Sequence, residues 1–333
     1  MKTAAPGKII ISGEHAVVYG KPALVMAIDR FSHCQIEIID SEEIVLELPD
    51  LFFRQTKPIK DLNSIRERLD HQYQEFIRGG IAIDKVVTSP GDVFFYLLAL
   101  LLQIKDELPG PGLWVRVSSQ LVPGGGTGSS ASTIVSVLFA AASLLQLDLT
   151  PDTLFSTSVN VENLLHGRSS GVDPYICLHG GFNRFQTGVA RRIDVPEMTW
   201  HVAFSGKPEA GTGESVDRVR SEFGNSTIWN EFNEITRQLE TAIAGRHPEA
   251  MISAVRENHR LLCRIGVVPE TVKQYVKSIE ARGGAAKVSG AGSVKGDGAG
   301  ALLILGPKDA IEFSKSRYPV FQTSLEVSGV RIL

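Results

Sequence analysis

Apolar residues near the start of the chain recur in short β-branched runs. Residues 8–12, 23–28, 33–39 and 44–48 each read as a strand. Over 61–78 the pattern changes: charged residues carry apolar ones at helical spacing, which predicts a helix. The run "VFFYLLALLL" at 93–102 is apolar on every side and predicts a buried helix over 91–104. Ser89, Pro90 and Asp92 ahead of it fit an N-cap, a first-turn proline and a capping box. "LWVRVSS" alternates and predicts a strand at 113–120, and helices are expected near 129–146 and 151–166. Short strands are expected around 174–186. From about 187 the pattern restarts: a strand in "MTWHVAFSG", long amphipathic helices between 212 and 281, a strand at 299–305, a helix near 308–316, and short strands over 319–331. The halves share no repeat, and no low-complexity linker parts them. The expectation is an α+β protein of two packed domains, 1–185 and 186–333, with a cleft between them.

Composition narrows the classes of function. The chain has 333 residues, 43% hydrophobic and 21% charged, as an ordinary soluble protein does. Its net charge of −3, without a long basic run, argues against nucleic-acid binding. Cys34, Cys177 and Cys263 are odd in number and far apart, which fits neither a disulfide framework nor metal spacing. No charged-then-apolar signal opens the chain, and the 93–102 run is about half the roughly 20 residues that span a bilayer. These features lead to the expectation of a cytoplasmic protein with no membrane partner; they do not choose between a monomer and a homodimer.

The stretch "LVPGGGTGSSAS", residues 121–132, changes the picture most. It lies between a predicted strand and a predicted helix. Glycine lets the chain turn tightly and lets a ligand approach the backbone, and a helix N-terminus attracts anions. The stretch therefore reads as a phosphate loop. No Lys follows its last glycine, so it is not a Walker A loop. Gly126, Gly128 and Ala131 match the dinucleotide pattern G-x-G-x-x-A, with Asp148 at a fitting distance. Against that reading, the following helix leads to Pro151 and another helix rather than to a second strand. The same pattern also occurs at Gly296, Gly298 and Ala301, ahead of a strand. A glycine-rich turn without a ligand is the plain alternative.

Two further stretches bear on the choice. "APGKIIISGEHAVVYGKPAL" at 5–24 places Lys8 at a strand start and Glu14-His15 in a turn behind Gly13. "VNVENLLHGRSSGVDPY" at 159–175 places Glu162 in a helix that leads through a Ser/Gly turn to Asp173. Pro174 is expected to keep Asp173 out of helical geometry. Taken singly, Lys8 reads as a solvated strand end, Asp173 as an Asx turn and His15 as a turn histidine in water.

Together these stretches resemble the kinase superfamily that unites galactokinases, homoserine kinases, mevalonate kinases and phosphomevalonate kinases (GHMP kinases). "PGKIIISGEHAVVYG" resembles its first motif, "PGGGTGSSAS" its second and "KVSGAGSVKGDGAG" at 287–300 its third. "GEHAVVYGKPAL" and "ENLLHGRSSGVD" are most similar to the mevalonate kinase branch. Thr127 and Ser132 stand where Leu and Ala are usual. Ser293, Val294, Lys295 and Asp297 interrupt the usual glycine run.

The resemblance implies an S5-like N-terminal domain, a ferredoxin-like C-terminal domain and an active site in the cleft between them. It implies ATP held by Pro123, Gly124, Gly125, Gly126, Thr127, Gly128, Ser129 and Ser130, and Mg²⁺ held by Ser130 and Glu162. Asp173 would take the proton of an attacking hydroxyl, with Lys8 as its counter-ion. Glu14, His15 and Thr212 would lie near the acceptor, with His15 donating to a carboxylate. The implied reaction phosphorylates the 5-hydroxyl of (R)-mevalonate. A sister kinase on a sugar or small hydroxy acid, an NAD(P)-dependent oxidoreductase, and a catalytically silent nucleotide-binding regulator are the alternatives. Thr212 has a plain reading as well, as a helix cap.

Overall fold

A computed structural model describes residues 1–104 and 112–333. In chain order the first part comprises β1 (Lys2–Ser12), β2 (Ala23–Ile39), β3 (Glu43–Leu48), β4 (Phe53–Pro58), α1 (Leu62–Ile77), α2 (Asp92–Ile104), β5 (Gly112–Ser119), α3 (Ser129–Leu144), α4 (Pro151–His166), α5 (Val172–His179), β6 (Phe182–Gln186) and β7 (Val189–Arg192). The second part comprises β8 (Trp200–Phe204), α6 (Thr212–Phe223), α7 (Ile228–Ala244), α8 (Pro248–Arg264), α9 (Glu270–Glu280), β9 (Ala285–Val288), β10 (Ala301–Leu305), α10 (Lys308–Lys315), β11 (Val320–Thr323) and β12 (Arg331–Ile332).

One sheet runs β12-β1-β2-β5-β3-β4, with β6 also on β2 and β7 on β6. The pairing is antiparallel except between β3 and β5. β2 merges the two strands expected at 23–28 and 33–39. The polar pair Asp29 and Arg30 interrupts its apolar run where the register with β1 shifts, between Pro6 and Gly7. Proline has no N–H for the ladder, so a bulge forms there at little cost. The strand continues past it, and its length gives both β5 and β6 a place on the same edge.

The other sheet runs β11-β8-β10-β9 and is antiparallel throughout. In its own numbering this is the order 4-1-3-2, the ferredoxin-like arrangement the sequence led us to expect. β4 and β9 are strands that the periodicity missed. The "AAKV" of β9 carries a lysine in mid-run and looks too polar to be fully buried, yet all four residues are buried. β12 returns to the first sheet, where it pairs with β1.

Capping follows local rules. Thr150 Oγ1 accepts the N–H of Thr153 and Pro151 opens α4. At α2 the Asp92 carboxylate accepts the N–H groups of Ser89 (3.2 Å) and Thr88 (3.3 Å), the acidic half of a capping box. One expectation fails. Residues 174–179 are helical, and Asp173 lies in the first turn of α5 rather than in an Asx turn. Gly171, left-handed at φ 79°, starts the helix, and Pro174 falls in the first turn, where its missing N–H costs nothing.

Packing explains why the two sheets form a cleft rather than separate bodies. The helices α2 and α3 bury Phe95, Leu98, Ile134 and Leu138 against Ile36, Leu46 and Val115 of the first sheet. The second sheet packs Leu302 and Ile304 with Phe232, Leu262 and Tyr275. A third cluster joins Ile9, Ile11, Leu24 and Met26 of β1 and β2 to Trp200, Leu239, Val255 and Leu303. Each such side chain contributes about 1.5–3 kcal/mol when fully buried, so the back of the cleft is a shared core. Among the described residues no helix is long and apolar enough to cross a membrane.

Candidate active site

The cleft holds about 970 Å³ and brings together residues from both sheets, far apart in sequence. Its floor is the glycine loop. Gly124, Gly126 and Gly128 all have left-handed φ, a region that L side chains rarely occupy. At two of them close approach adds a second reason for glycine. A Cβ on Gly126 would meet Ser289 O at 2.7 Å, and one on Gly128 would meet Lys8 Cγ at 2.9 Å. Gly128 is the N-cap of α3, so the free N–H groups of the first turn open toward the cleft at Ser129 and Ser130. Not every expected loop residue lines the cleft. Gly125 turns inward, its carbonyl accepting the N–H of Ala301. Thr127 gives its carbonyl to the N–H of Lys8, while its hydroxyl is buried without a hydrogen-bond partner among the described residues. Pro123 is exposed at the loop's entrance.

Lys8 is buried in the wall. Its ammonium lies 3.1 Å from Asp173 Oδ2 and donates to Gly126 O at 3.2 Å. The lysine side chain is 3% exposed and the aspartate 28%, so the carboxylate faces open space while its counter-ion is fixed behind it. Its seat in the first turn of α5 further favours a negative charge.

Beside this pair, Ser130 Oγ donates to Glu162 Oε1 at 2.6 Å. His166 Nε2 lies 3.1 Å from the same hydroxyl. The hydroxyl has one hydrogen, which goes to Glu162, so His166 Nε2 carries a proton and donates to Ser130. Burial pushes the Glu162 carboxyl above its usual range, and the Asp173 charge adds to this. His166 was not anticipated, although its i,i+4 spacing from Glu162 on one helix face was a readable signal.

Three acceptor-side candidates meet different outcomes. His15 is buried, and its Nε2 lies 2.9 Å from Ala291 O. A carbonyl only accepts, so Nε2 carries the hydrogen. Burial holds the ring's pKa below its usual value, so the ring is neutral and Nδ1 is an acceptor. The expected donation from His15 to a carboxylate does not follow from this geometry, whereas accepting a hydroxyl hydrogen does.

Glu14 lines the cleft, but its carboxylate is engaged within the protein. Its carboxylate pairs with Lys287 of β9, both side chains at most 1% exposed. Lys287 also donates to Ile10 O (3.2 Å) and Val288 O (2.9 Å). Asn258 donates to Glu14 and accepts from Ser12. Burial pulls Lys287 well below the usual lysine range, and the charge of Lys8 adds to that pull. Lys287 and Asn258 were missed. A lone lysine in the apolar "AAKV" was the available sign. Thr212 is exposed at the cleft rim in the first turn of α6. The N-cap is Gly211, so Thr212 is not the cap.

The dinucleotide alternative fails on topology. The glycine loop leads through α3 into α4 and α5, and among the described residues no parallel strand follows α3 beside β5. The family profile described as GHMP kinases N terminal domain matches residues 87–181, which include the glycine loop, Glu162 and Asp173. A mevalonate kinase of Pyrococcus abyssi is 30% identical over 91% of this chain and 88% of its own length. A mevalonate kinase of Thermococcus sibiricus is 29% identical over 98% of this chain and 92% of its own. The crystal structure of the Methanococcus jannaschii mevalonate kinase superposes with a TM-score of 0.80 at 22% identity, covering 98% of both chains. The chain is an ATP-dependent kinase acting on an alcohol, and it belongs to the mevalonate kinase family of the GHMP kinases.

Proposed function

We propose that the chain transfers the γ-phosphoryl group of ATP to the 5-hydroxyl of (R)-mevalonate, giving 5-phosphomevalonate and ADP. The observation that carries this reading is the half-exposed Asp173 carboxylate fixed by the buried Lys8 beside a glycine loop. In the reaction the hydroxyl oxygen bonds to the γ-phosphorus, the bond to the β-phosphate oxygen breaks, and the hydroxyl proton passes to Asp173. Lys8 orients that carboxylate and anchors it to the loop. The free N–H groups at the start of α3 cradle the phosphates. His15 Nδ1 accepts a hydroxyl hydrogen from the acceptor, and Thr212 donates to its carboxylate. We move the expected domain division at 185 into the 193–199 segment, because β7 still pairs with β6. The nucleotide then belongs to the first unit.

The donor set suits Mg²⁺. Two cis ligands at about 2.1 Å stand about 3 Å apart, and the Ser130 and Glu162 oxygens are 2.6 Å apart. Among the described residues no cluster of three or more His, Cys, Asp or Glu could hold a metal. This accords with an ion that takes one or two protein ligands and completes its shell with phosphate and water. Bound there, Mg²⁺ would neutralise phosphate charge.

The raised pKa of Glu162 makes a prediction. Stability from a carboxyl whose folded pKa is raised is full below the ordinary value of 4.5 and is lost as pH rises through the raised one. The ionised group therefore costs stability at pH 7 until a cation meets it. Glu162→Gln should unfold at an equal or higher temperature than wild type without Mg²⁺, yet need more Mg²⁺ for half-maximal activity. Lower thermal stability with an unchanged Mg²⁺ requirement would contradict the assignment.

Coupled ADP release over mevalonate, galactose and homoserine tests the acceptor. Mevalonate should be turned over and the other two ignored. Preference for galactose would move the acceptor to a sister enzyme.

A further inference from the structure

The glycine loop lacks the lysine that follows a Walker loop, and the lysine nearest it is already engaged. The Lys8 ammonium spends two of its three N–H groups on Asp173 and Gly126 O, so it has at most one left for a polyphosphate. A polyphosphate in a cleft needs a cation besides the metal, because backbone N–H groups supply only partial charges.

The second sheet presents one. Lys207 follows β8, lines the cleft and is exposed. Its Cε lies 3.7 Å from the point a Cβ on Gly124 would occupy, which sets the side chain over the glycine loop. The backbone that carries it is fastened by three hydrogen bonds to the 299–300 segment. Gly300 N–H donates to Gly206 O (3.0 Å), and Ser205 N–H donates to Gly300 O (2.9 Å). Ala299 N–H donates to Ser205 Oγ (3.0 Å). Gly298 packs so closely that a Cβ there would meet Gly206 O at 2.8 Å and Lys207 O at 2.9 Å. Part of the 287–300 run is therefore glycine because the Lys207 segment lies against it, and Ala301 N–H in turn holds Gly125 O of the phosphate loop (2.8 Å). The stem is placed and the head is free: among the described residues the Lys207 ammonium has neither an ion-pair nor a hydrogen-bond partner. The nearby carboxylate of Glu214 is taken by Lys295 (2.8 Å), and that of Glu209 lies against Gly296.

We propose that Lys207 is the cation that binds the nucleotide's polyphosphate, reaching from the second sheet to phosphates seated on the glycine loop of the first. The inference rests on the reading of 121–132 as the ATP phosphate loop. It does not depend on which alcohol is phosphorylated.

The test is calorimetric titration of the full-length protein with ADP and with AMP, in Mg²⁺, for wild type, Lys207→Met and Lys207→Arg. The side chain is exposed, so both variants should fold. Loss of a charge-assisted hydrogen bond at an open site should weaken ADP about 10-fold in Lys207→Met. AMP, which lacks the β-phosphate, should bind as before, and Lys207→Arg should recover most of the ADP affinity. In turnover, KM for ATP should rise in Lys207→Met while KM for the alcohol stays put. Unchanged ADP affinity in Lys207→Met would overturn the inference. So would an equal loss of ADP and AMP, which marks a purely structural role, or an arginine variant as weak as the methionine one. A wild type that binds ADP through Lys207 yet leaves mevalonate untouched would support the inference and remove only the acceptor.

Discussion

Asp173→Asn is expected to lower kcat about 10²- to 10⁴-fold, the worth of a positioned proton acceptor. The substitution keeps the size of the side chain and leaves an amide oxygen for the Lys8 ammonium, 3.1 Å away in the native pair. The wall of the cleft should therefore stay in place. ADP affinity should change little, because the phosphate loop and the first turn of α3 are untouched. Steady-state kinetics with a parallel ADP titration separates the two effects. A kcat near that of wild type would remove Asp173 as the group that takes the proton.

Glu14→Ala should act mainly on the fold. Its carboxylate is the counter-ion of Lys287, and both side chains are out of water. Removing one partner of a buried pair leaves the other charge unpaired and costs about 3–5 kcal/mol. This network joins the end of β1 to β9 and, through Asn258, to α8, so its loss should loosen the packing behind the cleft. Chemical denaturation measures the cost. Where Glu14→Ala fails to fold, the pair Glu14→Leu with Lys287→Met should restore much of the stability, since the uncompensated charge is gone. The opposite pattern, full stability with a raised KM for the alcohol alone, would return Glu14 to the acceptor side where the sequence had set it.

The difference over Glu14 shows where reading along the chain stops. Local signals carried far. The glycine loop before an alanine- and leucine-rich run marked the start of α3, and the helix expected near 151–166 is α4. Lys8 and Asp173 were paired by resemblance, and they lie 3.1 Å apart. Misreadings came where tertiary contacts outweigh local preference. Asp173 precedes a proline and was read as non-helical, yet a left-handed Gly171 starts a helix that accepts Pro174 in its first turn. β9 was hidden because its lysine is paired with a residue 273 positions away. His15 was read as donating to a substrate carboxylate because the acceptor its Nε2–H serves, Ala291 O, lies in the other half of the chain. Lys207 had no local mark, since its significance lies in the loop across the cleft.

Phosphorus NMR of the product formed from ATP and (R)-mevalonate tests the central claim most directly. The account predicts a single new phosphomonoester signal coupled to the two hydrogens of C5, growing with ADP and absent with Asp173→Asn over the same interval. A signal without that coupling, or inorganic phosphate accumulating in place of the ester, would contradict it.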